Sequence, residues 1–149
     1  MTNRVQFRLT TQADEAFAFH VRETTMRDYV IETWGVWNAE EARAQINENI
    51  RSLKSKIIVI DGHDAGVLRV EEFDTHIFLD QLWILPEFQG QGFGRVILRQ
   101  ILEKAKSGGL PLRLWVLRVN PAREFYERMG FKVIEQTQAS LHMECAPSR

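Results

Sequence analysis

The stretch LWILPEFQGQGFGRVIL, Leu82 to Leu98, leads from an apolar segment through three glycines at alternate positions, Gly90, Gly92 and Gly94, into a second apolar segment. Leu82 to Leu85 has the composition of a strand end, and beyond the loop Ile97, Ile101, Leu102 and Ala105 recur at helical spacing. A loop nearly free of side chains between a strand and a helix suits an anion. The start of a helix leaves N–H groups unpaired and carries a positive partial charge, and a β-carbon in the loop would hold the ligand away from them.

Three phosphate-binding devices use that position, and two do not fit. A Walker loop needs a Gly-Lys-Ser/Thr ending, but no lysine occurs between Lys56 and Lys104. A dinucleotide fingerprint beginning at Gly90 would need glycine where Arg95 stands, and the segments before it read as a hairpin meander, not the opening of a βαβ unit. The third device is Gln/Arg-x-x-Gly-x-Gly/Ala, met as Gln89-Gly90-Gln91-Gly92-Phe93-Gly94. There, successive backbone N–H groups converge on a pyrophosphate, each charge-assisted bond contributing about 1.5 to 3 kcal/mol.

The rest of the chain predicts the setting of this loop. Val5 to Leu9 alternates as a strand, and Thr11 with Asp14 forms a capping-box-like start to a helix carrying Ala13, Phe17 and Val21 on one face. Asn38 caps a second helix striped by Ala42, Ile46, Ile50 and Leu53. IIVID, a turn at GHDA, and GVLRVEEF read as two strands of a meander, with a third from Thr75 to Leu85. The helix after the glycine loop stops at Gly108-Gly109, LRLWVL forms a strand, and Asn120-Pro121 opens a short helix carrying Ala122, Phe125 and Met129. Strands at Phe131 to Gln136 and Ser140 to Cys145 complete the order β-α-α-β-β-β-α-β-α-β-β. The expected fold class is α/β with a mixed sheet, in a single domain over residues 1–149.

Composition narrows the function classes. With 19 basic and 20 acidic residues the formal net charge is -1, so nothing pulls the whole chain toward nucleic acid or an anionic membrane. No apolar run approaches the ~20 residues that span a bilayer. The single cysteine, Cys145, and the absence of a secretory pattern over Met1 to Leu9 point to a reducing, cytoplasmic setting. His20, His63, His76 and His142 lack metal-ligand spacing, so no metal is expected.

LWILPEFQGQGFGRVIL together with VNPAREFYERMGF, Val119 to Phe131, closely resembles the two signature motifs of the GNAT superfamily of acetyl-CoA-dependent N-acetyltransferases. The likeness covers essentially the whole chain, since the element order is also that family's. It implies acetyl-CoA as co-substrate, with the backbone of Leu82, Trp83 and Ile84 along the pantetheine arm and Gln89, Gly90, Gln91, Gly92, Phe93, Gly94 and Arg95 around the pyrophosphate. Tyr126 matches the family's general acid. Asn120 matches a residue that commonly contacts the cofactor, but it stands six residues before Tyr126 where seven is common, and a pure helix-capping role stays open. The implied partners are a small-molecule amine or a protein amine, with a second copy of the chain as a further candidate.

The chemistry of acetyl transfer can be set against the residues directly. It needs a held thioester, a polarised carbonyl, a neutral amine and a proton for the leaving sulfur. An N–H left unpaired at a strand bulge near Leu82 to Ile84 would polarise the carbonyl. A tyrosine hydroxyl, of reference pKa about 10, stays protonated at neutral pH and can donate as a thiolate forms. Asp80 is the first candidate for the base that accepts the amine proton; His76, Glu72 and ordered water are weaker ones. Each residue also has a structural reading: Tyr126 shares the stripe of Ala122, Phe125 and Met129, Asp80 can be a solvated strand residue, and Cys145 a small core residue. Around Met26 to Trp37, between the first two helices, Tyr29, Trp34 and Trp37 either line the acceptor site, where Asp28 and Glu32 would suit a cationic amine, or seal the helix pair. A non-catalytic acyl-CoA-binding or sensing module and a protein N-terminal or lysine acetyltransferase are the competing functions.

Overall fold

The computed structural model describes residues 4–147; residues 1–3 and 148–149, the ends of the expected 1–149 domain, lie outside it. The elements are β1 (Val5–Leu9), α1 (Glu15–Trp34), α2 (Ala39–Arg51), β2 (Ser55–Ile60), β3 (His63–Glu72), β4 (Ile77–Ile84), α3 (Phe93–Ser107), β5 (Leu112–Leu117), α4 (Ala122–Arg128), β6 (Lys132–Gln136) and β7 (Ser140–Cys145). This is the expected order. The strands form one mixed sheet in the order β1-β2-β3-β4-β5-β7-β6. The chain divides into two compact units, one running to Val70 and including Gln81–Gly94, the other comprising Glu71–Asp80 and the stretch from Arg95.

In the first unit β1, β2 and β3 pair antiparallel, Val5 opposite Ile60 and Ser55 opposite Arg69. The turn between β2 and β3 is Asp61-Gly62, both in the left-handed region, so His63 and Asp64 of the expected GHDA turn already belong to β3. A two-residue turn of this kind matches the twist of the strands it joins. Ala18 and Val21 of α1 and Ile46 and Ile50 of α2 pack over Ile57, Val67 and Leu85, with Phe17, Trp83 and Phe88 at the margin. The capping box is present, the Asp14 carboxylate accepting from the Thr11 N–H at 2.8 Å. Asp14 also receives two hydrogen bonds from the Arg8 guanidinium, which hold its pKa below the ordinary carboxylate value. Asn38 caps α2 by accepting from the Glu41 N–H at 3.0 Å, a contact of the kind that stabilises a helix by about 1 kcal/mol.

Two expected stripe positions are corrected. Ala13 lies in a 3-10 turn before α1 and is exposed, and the buried face of α1 is Ala18, Phe19 and Val21. Leu53 has left the α2 helix, takes a positive φ and is exposed. More important for function, α1 continues through Trp34, so most of the segment expected to connect the two helices is helix. No glycine or proline interrupts it before Gly35, whose left-handed φ of 81° and N–H bond to the Ile31 carbonyl end it.

In the second unit β4 pairs in parallel with β5 through Ile77 and Phe78, opposite Leu112 and Arg113. β5 pairs antiparallel with β7 from Leu112 opposite Cys145 to Leu117 opposite Ser140, and β6 adds to the outer edge of β7. Arg113 bonds Glu144 at 2.8 Å across that pair, and the Trp115 and His142 rings stack at 4.4 Å. Ile97, Ile101 and Ala105 are buried on α3, as their spacing predicts, while Leu102, expected on the same stripe, is only half-buried and Leu98 is buried in addition.

Candidate active site

The glycine loop is shaped by its backbone and pinned by its glutamines. Pro86–Phe88 forms a 3-10 turn directly after β4. The Gln89 side chain donates to the Ile84 carbonyl at 2.7 Å, and that of Gln91 to the Glu87 carbonyl at 3.1 Å. Both amides are thus spent on holding the loop. Gly90 and Gly92 take φ of 75° and 85°, a region that side chains with a β-carbon rarely occupy. A β-carbon built at either would meet nothing within 4 Å, so the surface over both is open.

α3 begins at Phe93, which leaves the N–H groups of Phe93, Gly94 and Arg95 among the four at a helix start that have no intrahelical partner. No acidic residue stands in this first turn to compete for them. The Phe93 ring is buried, with the Arg4 guanidinium 4.9 Å from its centroid, so its contribution to a ligand would come from the backbone. This arrangement fits a pyrophosphate: bare amides, an open surface and a positive helix end.

Leu82, Trp83 and Ile84 are half-buried on β4 immediately before the loop. Gly66 on β3 lies so close to this strand that a β-carbon there would collide with the Trp83 carbonyl oxygen. The Arg22 guanidinium of α1 lies 5.8 Å from the Trp83 ring. Gln81, one residue earlier, is buried, and its Oε1 is enclosed without a hydrogen-bond partner; sequence reasoning did not single it out.

The acceptor candidates also belong to this unit. Tyr29 is half-buried on α1. Trp34, the last residue of α1, is 59% exposed, so it does not close the core. Trp37 is half-buried between α1 and α2, its indole Nε1 enclosed and without a hydrogen-bond partner.

In the second unit Tyr126 is the buried residue of α4 at 9% exposure, while Phe125 and Met129, expected on the core stripe, are only half-buried. Its ring packs against Phe131 and Phe125 at 5.5 and 5.4 Å. Burial disfavours the phenolate and pushes its pKa up to about 12. Asn120 Oδ1 accepts from the Ala122 N–H at 2.9 Å, so that oxygen serves the helix start. Asp80 is exposed on β4. Burial, and then Glu144, raise the Cys145 pKa, which leaves a poor nucleophile at neutral pH. Among the described residues no three His, Cys, Asp or Glu side chains gather as a metal site, and no helix is long and apolar enough to cross a membrane.

Residues 54–133, which contain both motifs' glycines and Tyr126, match the family described as the acetyltransferase (GNAT) domain. The chain belongs to that family. It is similar to an uncharacterized N-acetyltransferase of Staphylococcus saprophyticus, 33% identical over 70 residues, 47% of this chain and 44% of the relative. A ribosomal protein bS18-alanine N-acetyltransferase of Haemophilus influenzae is 40% identical over 53 residues, 35% of this chain and 36% of the relative. These matches span less than half the length of the curated relatives. The fold is that of the PaiA N-acetyltransferase from Thermoplasma acidophilum, solved with coenzyme A, at a TM-score of 0.72 and 19% identity over 95% of this chain and 98% of that one.

Proposed function

We propose that the chain transfers the acetyl group of acetyl-CoA to a primary amine of a small molecule or a protein. The observation that carries this is the loop at Gly90 to Arg95, where open glycines and a helix start free of acidic residues are built for a pyrophosphate. Family membership supplies the rest of the reading. Bound acetyl-CoA would contribute an activated acyl group whose C–S bond breaks as the new N–C bond forms.

The chain's residues then have three tasks. Backbone N–H groups of Leu82 to Ile84 hold the pantetheine arm and polarise the thioester carbonyl. Asp80 accepts the proton that the attacking amine must lose, since an amine of pKa about 10.4 is mostly protonated at pH 7. Tyr126, whose burial pushes its pKa up to about 12, is protonated at neutral pH and acts as the general acid that donates its proton to the departing sulfur.

For the acceptor, a protein N-terminal amine is supported by the bS18-alanine specificity in the name of the Haemophilus relative, and a small cationic amine by Asp28 and Glu32 near Tyr29 and Trp34 in sequence. The test is thiol release from acetyl-CoA with spermidine, an aminoglycoside, free amino acids and alanine-initiated peptides. Amine-dependent release with at least one of them is expected. Acetyl-CoA that binds without turnover of any would favour an acyl-CoA-sensing module instead.

A further inference from the structure

Within the second unit a cavity of about 740 Å³ opens between α3 from Arg99 onward, the turn after α4, β6 and the end of β7. Leu102 and Met129, both expected on core stripes and only half-buried, line it together with the half-buried Leu110 and Cys145 and the buried Ala105. Small-molecule sites enclose about 300 to 1,000 Å³ and are lined mainly by apolar side chains with a few polar groups. This cavity has that size and that lining.

Its polar groups are unevenly charged. Arg99, Lys106 and Lys132 line it and are exposed, which puts their charges at its margin. Among the described residues none of the three takes part in an ion pair or a side-chain hydrogen bond. Of the two carboxylates that also line the cavity, Glu144 is taken up by Arg113 at 2.8 Å, and Glu103 is exposed. Three free cations against Glu103 leave the margin positive on a chain whose net charge is -1.

We propose that this cavity binds a small apolar molecule carrying one carboxylate. Its hydrocarbon lies against Leu102, Leu110 and Met129, and its carboxylate sits among Arg99, Lys106 and Lys132. A guanidinium and an ammonium both form charge-assisted hydrogen bonds to a carboxylate, and an alcohol or amine of the same shape forgoes them. None of the lining residues is among those assigned above to acetyl-CoA, the acceptor or proton transfer, so the inference stands without the acetyl-transfer reading.

The probes are octanoate, 1-octanol and octylamine, titrated calorimetrically into the whole chain at low salt. Octanoate is expected to bind with a Kd of about 1 mM or below, and octanol and octylamine at least about fivefold more weakly. Cys145 reports the location, because it is the one cysteine of the chain and lines the cavity. Saturating octanoate should slow its alkylation by iodoacetamide about fivefold or more, and acetyl-CoA should change that rate by less than about twofold. Lys106→Glu combined with Lys132→Glu should raise the octanoate Kd about 10-fold or more, with the melting temperature within about 2 °C of wild type.

Octanoate that does not bind at up to about 5 mM, or binds no better than octanol or octylamine, overturns the inference. Binding that leaves Cys145 unprotected, or that acetyl-CoA displaces, places the molecule elsewhere and overturns it as well. An octanoate Kd unchanged in the folded double variant removes the role of the lysines and has the same consequence. The comparison of octanoate with octanol needs no variant, so it decides the matter even where the double substitution prevents folding.

Discussion

Replacing Gly92 by aspartate places a carboxylate over the surface where the pyrophosphate is proposed to sit. The backbone cost is separable from the charge. Gly92 holds a φ of 85°, and an L-residue in the left-handed region costs about 1 to 2 kcal/mol, which for a chain of this size lowers the melting temperature by about 2 to 8 °C. No steric clash adds to this, because nothing lies within 4 Å of a β-carbon there. The fold should survive. For the charge, a separation of about 5 Å and an effective dielectric of about 40 on an exposed loop give about 1.7 kcal/mol per unit charge. Two pyrophosphate charges then cost about 3.3 kcal/mol, or about 250-fold in Kd. Calorimetric titration with acetyl-CoA measures the loss, and Gly92→Asn, with the same backbone strain and no charge, isolates it. The asparagine variant should lose no more than about 10-fold. A folded aspartate variant with wild-type affinity would refute the phosphate-loop reasoning.

Tyr126→Phe should lower kcat by about 10 to 10³ while acetyl-CoA affinity changes by no more than a few fold, and steady-state kinetics beside a titration would show it. Spectrophotometric titration of the wild type against Tyr126→Phe should assign a phenol that ionises near pH 12 to Tyr126; ionisation near the ordinary value of about 10 would contradict its burial. Trp34→Ala should leave the melting temperature within about 2 °C of wild type, as its exposure requires, and raise the acceptor KM, so a large fall in stability would contradict the placement of Trp34. Because Arg8 depresses the Asp14 pKa in the folded state, the contact stabilises the protein above the unfolded value of about 3.9 and is lost as pH falls through the lower folded value. Melting curves from pH 7 downward should therefore show a steeper acid loss in the wild type than in Asp14→Asn.

Elements were legible where a local rule is decisive. Asn38 and the Gly108-Gly109 stop each act within a few residues, and both lie where the sequence places them, as does the strand LRLWVL. The loop Gln89 to Arg95 was readable because only glycine serves at Gly90 and Gly92, whose positive φ the sequence records as an absence of side chains. Phase within an amphipathic helix was harder. Ala13, Phe17 and Val21 fit helical spacing as well as Ala18 and Val21 do, and only packing against Ile57 and Val67 selects the second set. Met26 to Trp34 looked like a connector because its aromatics and charges lack a clean stripe. Its threonines nonetheless settle into the helix, Thr25 and Thr33 donating to the carbonyls of Val21 and Tyr29 at 2.8 and 2.7 Å. Gln81 carries no sequence signal at all. A polar residue in a strand reads as solvated until its surroundings are known, and this one is buried with its Oε1 enclosed.

Isotopic labelling distinguishes group transfer from cofactor binding alone. Acetyl-CoA carrying ¹³C in the acetyl carbonyl is incubated with the protein and the amine panel, and the products are followed by NMR and mass spectrometry. The label is expected to leave the thioester and appear as an amide on one of the amines, with equimolar free thiol, and Gly92→Asp, at acetyl-CoA below its raised Kd, is expected to abolish the signal. Label that stays on coenzyme A with every amine, or that appears only as free acetate, would contradict acetyl transfer to an amine.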